Sequence, residues 1–351
     1  MSSLPSPRAI RSGAQMFIGL SLTGMLASMW WKQPMGLGEF LTRMHWMYVP
    51  LILPLLAIDY FLGGFRYRLF FNGKQLPFVS QWDCMRSNWA NISMGAVTPF
   101  HSGAGPAQLY IWWRKGASLT DGMLVTMINF VATLVFFMLS SIAALIWLPE
   151  NLFGDNFTVV FRTGFSVVVL VVTVSILIML FPQAGLGLIR NFLAILPLGE
   201  VRRQKILLKA EGELRRFHDG FRNILRENKR GLVLTVLATI WLYFNKYVIG
   251  FTIVTAMGLN VPFDVFVGLQ IIQLLLLYFA PTPGASGLAE LSTVWLMEKL
   301  MPQSMLLIYA VFWRLTLTIL PAVIGGFVMF FEFQAMSREN ALKPATVPEK
   351  P

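Results

Sequence analysis

The chain has 351 residues, 56% of them hydrophobic and 13% charged, with a net charge of +11 and a mean hydropathy of +0.64. That balance excludes an ordinary soluble domain, in which about a quarter of residues are charged, and predicts an integral membrane protein. A single cysteine, Cys84, excludes an intramolecular disulfide and a multi-cysteine metal site. His45, His101 and His218 are too scattered to form a metal site of their own. There is no Walker loop and no dinucleotide fingerprint, so neither a metal nor a cofactor is expected.

A helix needs about 20 consecutive apolar residues to cross the hydrocarbon core. Six stretches predict full spans, in chain order: Ala14 to Trp30, Met44 to Gly64, Leu119 to Trp147, Val159 to Phe181, Gly231 to Met257 and Ser304 to Phe333. The first follows Arg8 and Arg11 and ends in the bulky "MWWKQP", so it reads as a retained anchor rather than a cleaved signal peptide. Trp30, Trp31, Trp46 and Tyr48 read as interfacial anchors. Residues 65–118 carry Arg66, Arg68, Lys74, Arg86, Arg114 and Lys115 against Asp83 alone. The stretch "GEVRRQKILLKAEGELRRFHDGFRNILRENKR" carries ten Lys and Arg against five Asp and Glu. Both therefore belong on the cytoplasmic side, whereas "PENLFGDN", acidic and without a base, faces outside. The prediction is a multi-pass protein of the cytoplasmic (inner) membrane with both termini inside. The positive charge then reflects its loops and implies no nucleic-acid partner. Within the basic segment 183–230, Leu207, Leu214, Phe217, Phe221, Ile224 and Leu225 recur at helical spacing. Two readings stay open: a helix lying on anionic headgroups, or a connector whose apolar stripe packs on the protein. Residues 1–333 form one polytopic domain, and 334–351 are expected to be a disordered cytoplasmic tail.

Two further apolar segments are broken. Phe78 to Trp113 is interrupted by "TPFHSGAGP" and Pro262 to Leu300 by "PTPGASG", and neither half of either segment is long enough to cross. Each predicts a re-entrant hairpin, the first entering from the cytoplasm and the second from outside. The fold class expected is therefore an all-α integral membrane protein, with six transmembrane helices plus two re-entrant helical hairpins arranged as an inverted repeat. Repeat one covers about 14–147 and repeat two about 159–333. Discontinuous helices at matching positions of inverted repeats point to a transporter-type site near the midplane. Each hairpin tip also begins a half-helix. Gly105 is expected as the first N-cap, putting Pro106 at N1 and Gln108 at N3; Gly287 is expected as the second, putting Glu290 at N3. Thr98, Pro99, Ser102, Gly103, Thr282, Pro283, Ser286 and Gly287 supply the tip backbones, whose free amides and positive helix ends suit an anion such as phosphate.

Asp59, Asn129, Lys246 and Arg314 interrupt the spans. Charges at that depth cost at least about 2.5 kcal/mol, so they face a cavity or a partner. Asp59 lies 39 residues before Thr98 and Lys246 lies 36 before Thr282, equivalent points of the two repeats, which suits a pair. Arg314 is placed to reach Glu290 or a bound phosphate; Lys246 serves either as a ligand or as a snorkelling side chain.

"ISMGAVTPFHSGAGPAQLYIWWRKGASL" resembles the Thr-Pro-Phe-x-Ser-Gly-Gly-x-Pro-x-Gln signature of the flippase-like family named for the transmembrane region of lysylphosphatidylglycerol synthase. "PTPGASGLAE" is similar to that family's Pro-Gly-Gly-x-Gly-x-x-Glu signature, and Trp313-Arg314 to its last helix. Ala104, Gly105 and Ala285 depart from it. The resemblance implies movement of lipids or lipid-linked groups between leaflets, with aminoacyl transfer confined to a separate soluble domain. The expectation is thus a stand-alone lipid translocator whose partners are membrane lipids with anionic headgroups, together with either a second copy of the chain or a lipid-biosynthesis protein. Two other classes stay open: a membrane-embedded enzyme acting on a lipid phosphate through Glu290 and His101, and a non-transporting scaffold subunit.

Overall fold

The computed structural model describes residues 37–148, 165–166, 169–177, 186–187, 190–191, 193–194 and 199–342. Among these the chain is helical, with no strand. The short α1 (Leu37–Arg43) precedes a 3-10 turn, Trp46–Leu51, that runs into α2 (Ile52–Arg68). The first broken segment comprises α3 (Gln81–Ala96) and α4 (Ala104–Arg114), and α5 (Leu119–Trp147) follows. Further on come α6 (Glu200–Glu227), α7 (Lys229–Ala256), the second broken segment of α8 (Phe263–Tyr278) and α9 (Leu288–Met297), then α10 (Gln303–Arg314) and α11 (Leu320–Leu342).

Four helical runs are long and apolar enough to cross a membrane: Trp46–Arg68, Leu119–Ala144, Lys229–Ala256 and Gln303–Met336. They match four of the expected spans. The span Ala14 to Trp30 lies outside the described residues, as does most of Val159 to Phe181. Much of the apolar surface of these helices points outward: Leu53, Phe61, Trp241, Phe327 and Phe331 are all exposed. Contiguous apolar surface of that extent is stable only against lipid. The chain is therefore a multi-pass membrane protein.

Local chemistry sets the helix boundaries. The Ser80 hydroxyl accepts from the Asp83 amide at 3.1 Å and starts α3; Ser118 and Asp121 form a reciprocal capping box on α5. Asn228 ends α6 and caps α7 by accepting from the Gly231 amide at 2.9 Å. Between α10 and α11 the residues Leu315–Ile319 form a π turn. Pro321 lies just beyond it; lacking an amide proton, it cannot complete the α-ladder to residue 317, and the wider turn absorbs the fault.

The two broken segments each dock on a helix from the other half of the chain. The first arm of one, α3, packs on α11, and the first arm of the other, α8, packs on α5; α2 lies along α7. The α3–α11 contact is close enough that a Cβ at Gly325 would fall 1.9 Å from the Trp89 carbonyl oxygen. The main core joins α2, α5 and α7 to α8, α9 and α10 through residues such as Phe137, Tyr247, Phe266, Leu306 and Tyr309.

Two expectations need correction, and the structure bears on one reading left open. The second span does not stop at Gly64: α2 continues to Arg68, which brings Arg66 into the helix rather than a loop, and it is buried. The 334–351 tail is not disordered from its start, because α11 continues to Leu342; Phe333 and Met336 pack beside Met329, and the Tyr110 hydroxyl lies 3.5 Å from the Met336 sulfur. Residues 343–351 lie outside the described residues. In the C-terminal half of α6, Ile224 is buried and Phe217 and Phe221 pack with Phe70, Phe71 and Leu124, so that part of the apolar stripe covers protein.

Candidate functional site

Both tips follow one conformational recipe. Thr98 and Thr282 are extended, each is followed by proline, and the next two residues enter the left-handed region: Phe100 (φ 52°) and His101 (φ 52°) in the first tip, Gly284 (φ 55°) and Ala285 (φ 55°) in the second. Proline fixes its own φ, and two successive left-handed residues reverse the chain within a turn. Three of these four positions are not glycine, each at a cost of about 1–2 kcal/mol. Ala285→Gly should therefore stabilise the protein by about 1 kcal/mol. Thermal unfolding in detergent checks this, and a lowered midpoint would contradict the strain assignment.

The tips meet. The Phe100 amide donates to the Pro281 carbonyl at 3.1 Å, and the second tip also packs against α3. In the first tip the Thr98 hydroxyl donates to the Met94 carbonyl at 2.6 Å and accepts from the Gly103 amide at 2.9 Å, closing the loop on itself. Pro99, Phe100, His101 and Ser102 are exposed, whereas Gly103 is buried. In the second tip Pro283, Gly284, Ala285 and Ser286 are all buried.

Arg314 accounts for this difference. Its guanidinium pairs with Glu290, donates to the Gly284 carbonyl at 2.9 Å and lies 3.3 Å from the Ser286 hydroxyl. The other Glu290 oxygen accepts from the Gly287 amide at 2.8 Å, so the expected capping at Glu290 is present. Arg314 and Glu290 are 3% and 4% exposed, and a buried charge of either sign holds there only because the other is present. The pair acts as a staple across the second tip.

The first tip differs from expectation. The N-cap of α4 is Gly103 rather than Gly105, so Pro106 stands at N3, where its missing amide is still not needed by the ladder. Gln108 consequently sits in the second turn, its oxygen accepting from Asn91 Nδ2 at 2.7 Å and its buried Nε2 without a hydrogen bond.

The remaining candidates form two separate pairs. Lys246 Nζ lies 2.7 and 2.9 Å from the two carboxylate oxygens of Asp59, so Lys246 neither snorkels nor stands alone. Asn129 is bound by Arg66, whose Nε donates to Asn129 Oδ1 at 3.1 Å and whose Nη2 donates to the Asn129 carbonyl and the Thr133 hydroxyl, both at 2.8 Å. None of Asp59, Lys246 and Asn129 hydrogen-bonds to either tip. Arg66 is not singled out by hydropathy, which ends the span at Gly64, just before this charge. The signal that would have found it is the polar pair Asn129 and Thr133, one turn apart on an otherwise apolar helix, which requires a polar partner opposite.

Residues 16–325 match the family described as lysylphosphatidylglycerol synthase TM region. A UPF0104 membrane protein from Archaeoglobus fulgidus is 21% identical over 286 residues, covering 78% of this chain and 83% of that relative.

Proposed function

Because the chain belongs to the lysylphosphatidylglycerol synthase transmembrane-region family, we propose that it moves a lipid with an anionic headgroup, or a lipid-linked group, between the leaflets of the cytoplasmic membrane. The observation that carries this reading is the hydrogen bond from the Phe100 amide to the Pro281 carbonyl. Non-helical backbone at membrane depth leaves polar groups that hydrocarbon cannot satisfy, so it persists only inside protein or beside a wet cavity. Two such segments brought into contact, with the Glu290–Arg314 and Asp59–Lys246 ion pairs among the same helices, suit a polar passage through the bundle.

In this proposal the full architecture has six spans and two re-entrant hairpins related as an inverted repeat. The exchange of contacts supports it: α3 against α11 is answered by α8 against α5, while α2 against α7 and tip against tip map onto themselves. The basic loops face the cytoplasm, and the repeats rock to open the passage to each leaflet in turn. The headgroup phosphate is bound at the exposed first tip, by the Ser102 hydroxyl beside Gly103, with Thr98 and Pro99 fixing the turn. Thr282, Pro283, Ser286 and Gly287 form the corresponding surface of the second tip, available when Arg314 and Glu290 move apart from it. Asp59 and Lys246 tie the two halves together.

Purified protein in liposomes should move fluorescent phosphatidylglycerol across the bilayer faster than empty liposomes do. Thr98→Val, which deletes the hydroxyl joining Met94 to Gly103, should slow movement about tenfold, the kinetic equivalent of about 1.4 kcal/mol of lost hydrogen bonding. A rate equal to that of empty liposomes would contradict the proposal. The embedded-enzyme reading has no comparable support. Both Glu290 oxygens are engaged by Arg314 and the Gly287 amide, and His101 makes no hydrogen bond to it.

A further inference from the structure

Two arginines are more than nine-tenths buried among the described residues, Arg66 at 7% exposed and Arg314 at 3%. Arg314 has the Glu290 carboxylate. Arg66 has only neutral partners, Asn129 and Thr133, and no described carboxylate lies within ion-pair distance of it. A buried guanidinium cannot shed its proton, so its charge persists, and burial without a counter-ion is strongly unfavourable. Nε and Nη2 face α5; Nη1 carries no hydrogen bond to a described residue, yet is not among the atoms sealed from solvent.

The surroundings of that free edge are donors. Tyr67, Tyr243 and Tyr278 lie within electrostatic range of Arg66 and all three are half-buried; the Tyr67 hydroxyl donates a long bond to Asn88 Oδ1 at 3.5 Å, and the Tyr243 hydroxyl lies beside Thr133. Tyr243 and Tyr278 are held in place by Phe137, with ring centroids at 4.7 and 5.3 Å. Gln108 Nε2, 1% exposed, has only the neighbouring Tyr67 hydroxyl as a partner. Gln108 begins the second turn of the first half-helix, and Tyr278 ends α8 three residues before Pro281. The group therefore sits where both broken segments approach α2 and α5. It offers one uncompensated positive charge and several neutral donors.

We propose that Arg66, with Tyr67, Gln108, Tyr243 and Tyr278, forms a binding site for a singly charged phosphate oxyanion, a class that includes phosphodiester lipid headgroups and free dihydrogen phosphate. A single negative charge matches the single unbalanced positive one. Charge-assisted hydrogen bonds from Nη1, from the Tyr278 hydroxyl and from Tyr67, which exchanges its long bond to Asn88 for the ligand, supply the donors such an oxygen accepts. The site gives the proposed lipid translocation a resting place for the headgroup beside the tips. It rests on that reading only for the ligand's source, and binding is measured apart from transport so that either can fail alone.

The test uses the full chain in detergent micelles of neutral headgroup, with thermal unfolding and intrinsic tryptophan fluorescence as readouts; Trp112 lies against Tyr67 at 5.0 Å between centroids. Phosphatidylglycerol, phosphatidylcholine and inorganic phosphate are titrated separately. Saturable stabilisation by phosphatidylglycerol but not by phosphatidylcholine assigns a lipid source; saturation by inorganic phosphate alone assigns free phosphate. In either case Arg66→Gln should weaken binding at least tenfold. It should also leave the unliganded midpoint unchanged or raised, because an unbalanced charge has gone; an arginine retained only for structure would lower it. Thr133→Asp provides a second route: an internal carboxylate beside Nη2 should raise the unliganded midpoint and displace the anion. Phosphatidylglycerol and phosphate both binding the two variants as tightly as the unmodified chain, or neither producing a saturable shift in the unmodified chain, would overturn the proposal.

Discussion

Arg314→Ala should destabilise the protein by about 3–5 kcal/mol, a large share of the roughly 5–15 kcal/mol that holds a typical domain together. The substitution leaves the Glu290 carboxylate 4% exposed with only the Gly287 amide to satisfy it. It also removes the hydrogen bond to the Gly284 carbonyl in a tip that already contains left-handed backbone. Glu290→Gln should cost less, since the remaining cation keeps its bond to Gly284 and its contact with Ser286. Replacing both, with Arg314→Met and Glu290→Leu, should recover most of the loss, because the penalty comes from an unpaired buried charge rather than from the absence of a pair. Denaturant or thermal unfolding of the three proteins checks the order. If the double variant were as unstable as Arg314→Ala, the staple would owe its effect to packing instead.

Gly325→Val should be the other severe substitution. A Cβ at that position meets the Trp89 carbonyl oxygen at 1.9 Å, its carbon at 2.5 Å and the Ser93 Cβ at 2.8 Å. Backbone cannot swing aside as a side chain can, so α11 must part from α3 along the closest helix contact of the first broken segment. The expected cost is about 3 kcal/mol or more, with the proposed translocation lost alongside stability. The neighbouring Gly326 is an internal control, because a Cβ there meets only the Ser93 hydroxyl at 3.6 Å. Gly326→Ala should change the unfolding midpoint little. Equal damage from the two would place the intolerance in the helix itself rather than in its contact with α3.

Those features decide how much of the molecule is legible without coordinates. The tips are readable because Thr-Pro with glycines and serine close behind, inside an apolar segment, is a local signal: proline fixes one dihedral and stops the helix, although the left-handed turn at Phe100 and His101 is not itself legible. Gly287 with Glu290 three residues on is readable for the same reason, since a capping count depends only on chain geometry. The similar placement of Asp59 and Lys246, 39 and 36 residues before the two tips, points to their pairing. The first N-cap resists the same reading because proline is tolerated at N1 and at N3 alike, and the choice of Gly103 over Gly105 is made by a tertiary detail, the Thr98 hydroxyl taking the Gly103 amide. Arg66 is misread as loop because local hydropathy ends a span at the first charge, whereas α5 supplies a polar face that lets the helix continue. The break after Arg314 is foreshadowed by Pro321, but its resolution as a π turn depends on the packing of α10 and α11.

In the proposed topology α5, which follows Lys115, and α10, which follows Lys299, carry opposite obligations. Each leaves a hairpin that the proposal has exit by the face through which it entered, the first facing the cytoplasm and the second the exterior. Single cysteines placed at Lys115 and at Lys299, in a Cys84→Ser background, report this directly when cells and inverted vesicles are treated with a membrane-impermeant maleimide. Labelling of the first site from the cytoplasmic side only, and of the second from the outer side only, is the predicted result. Labelling of both from one side would contradict it.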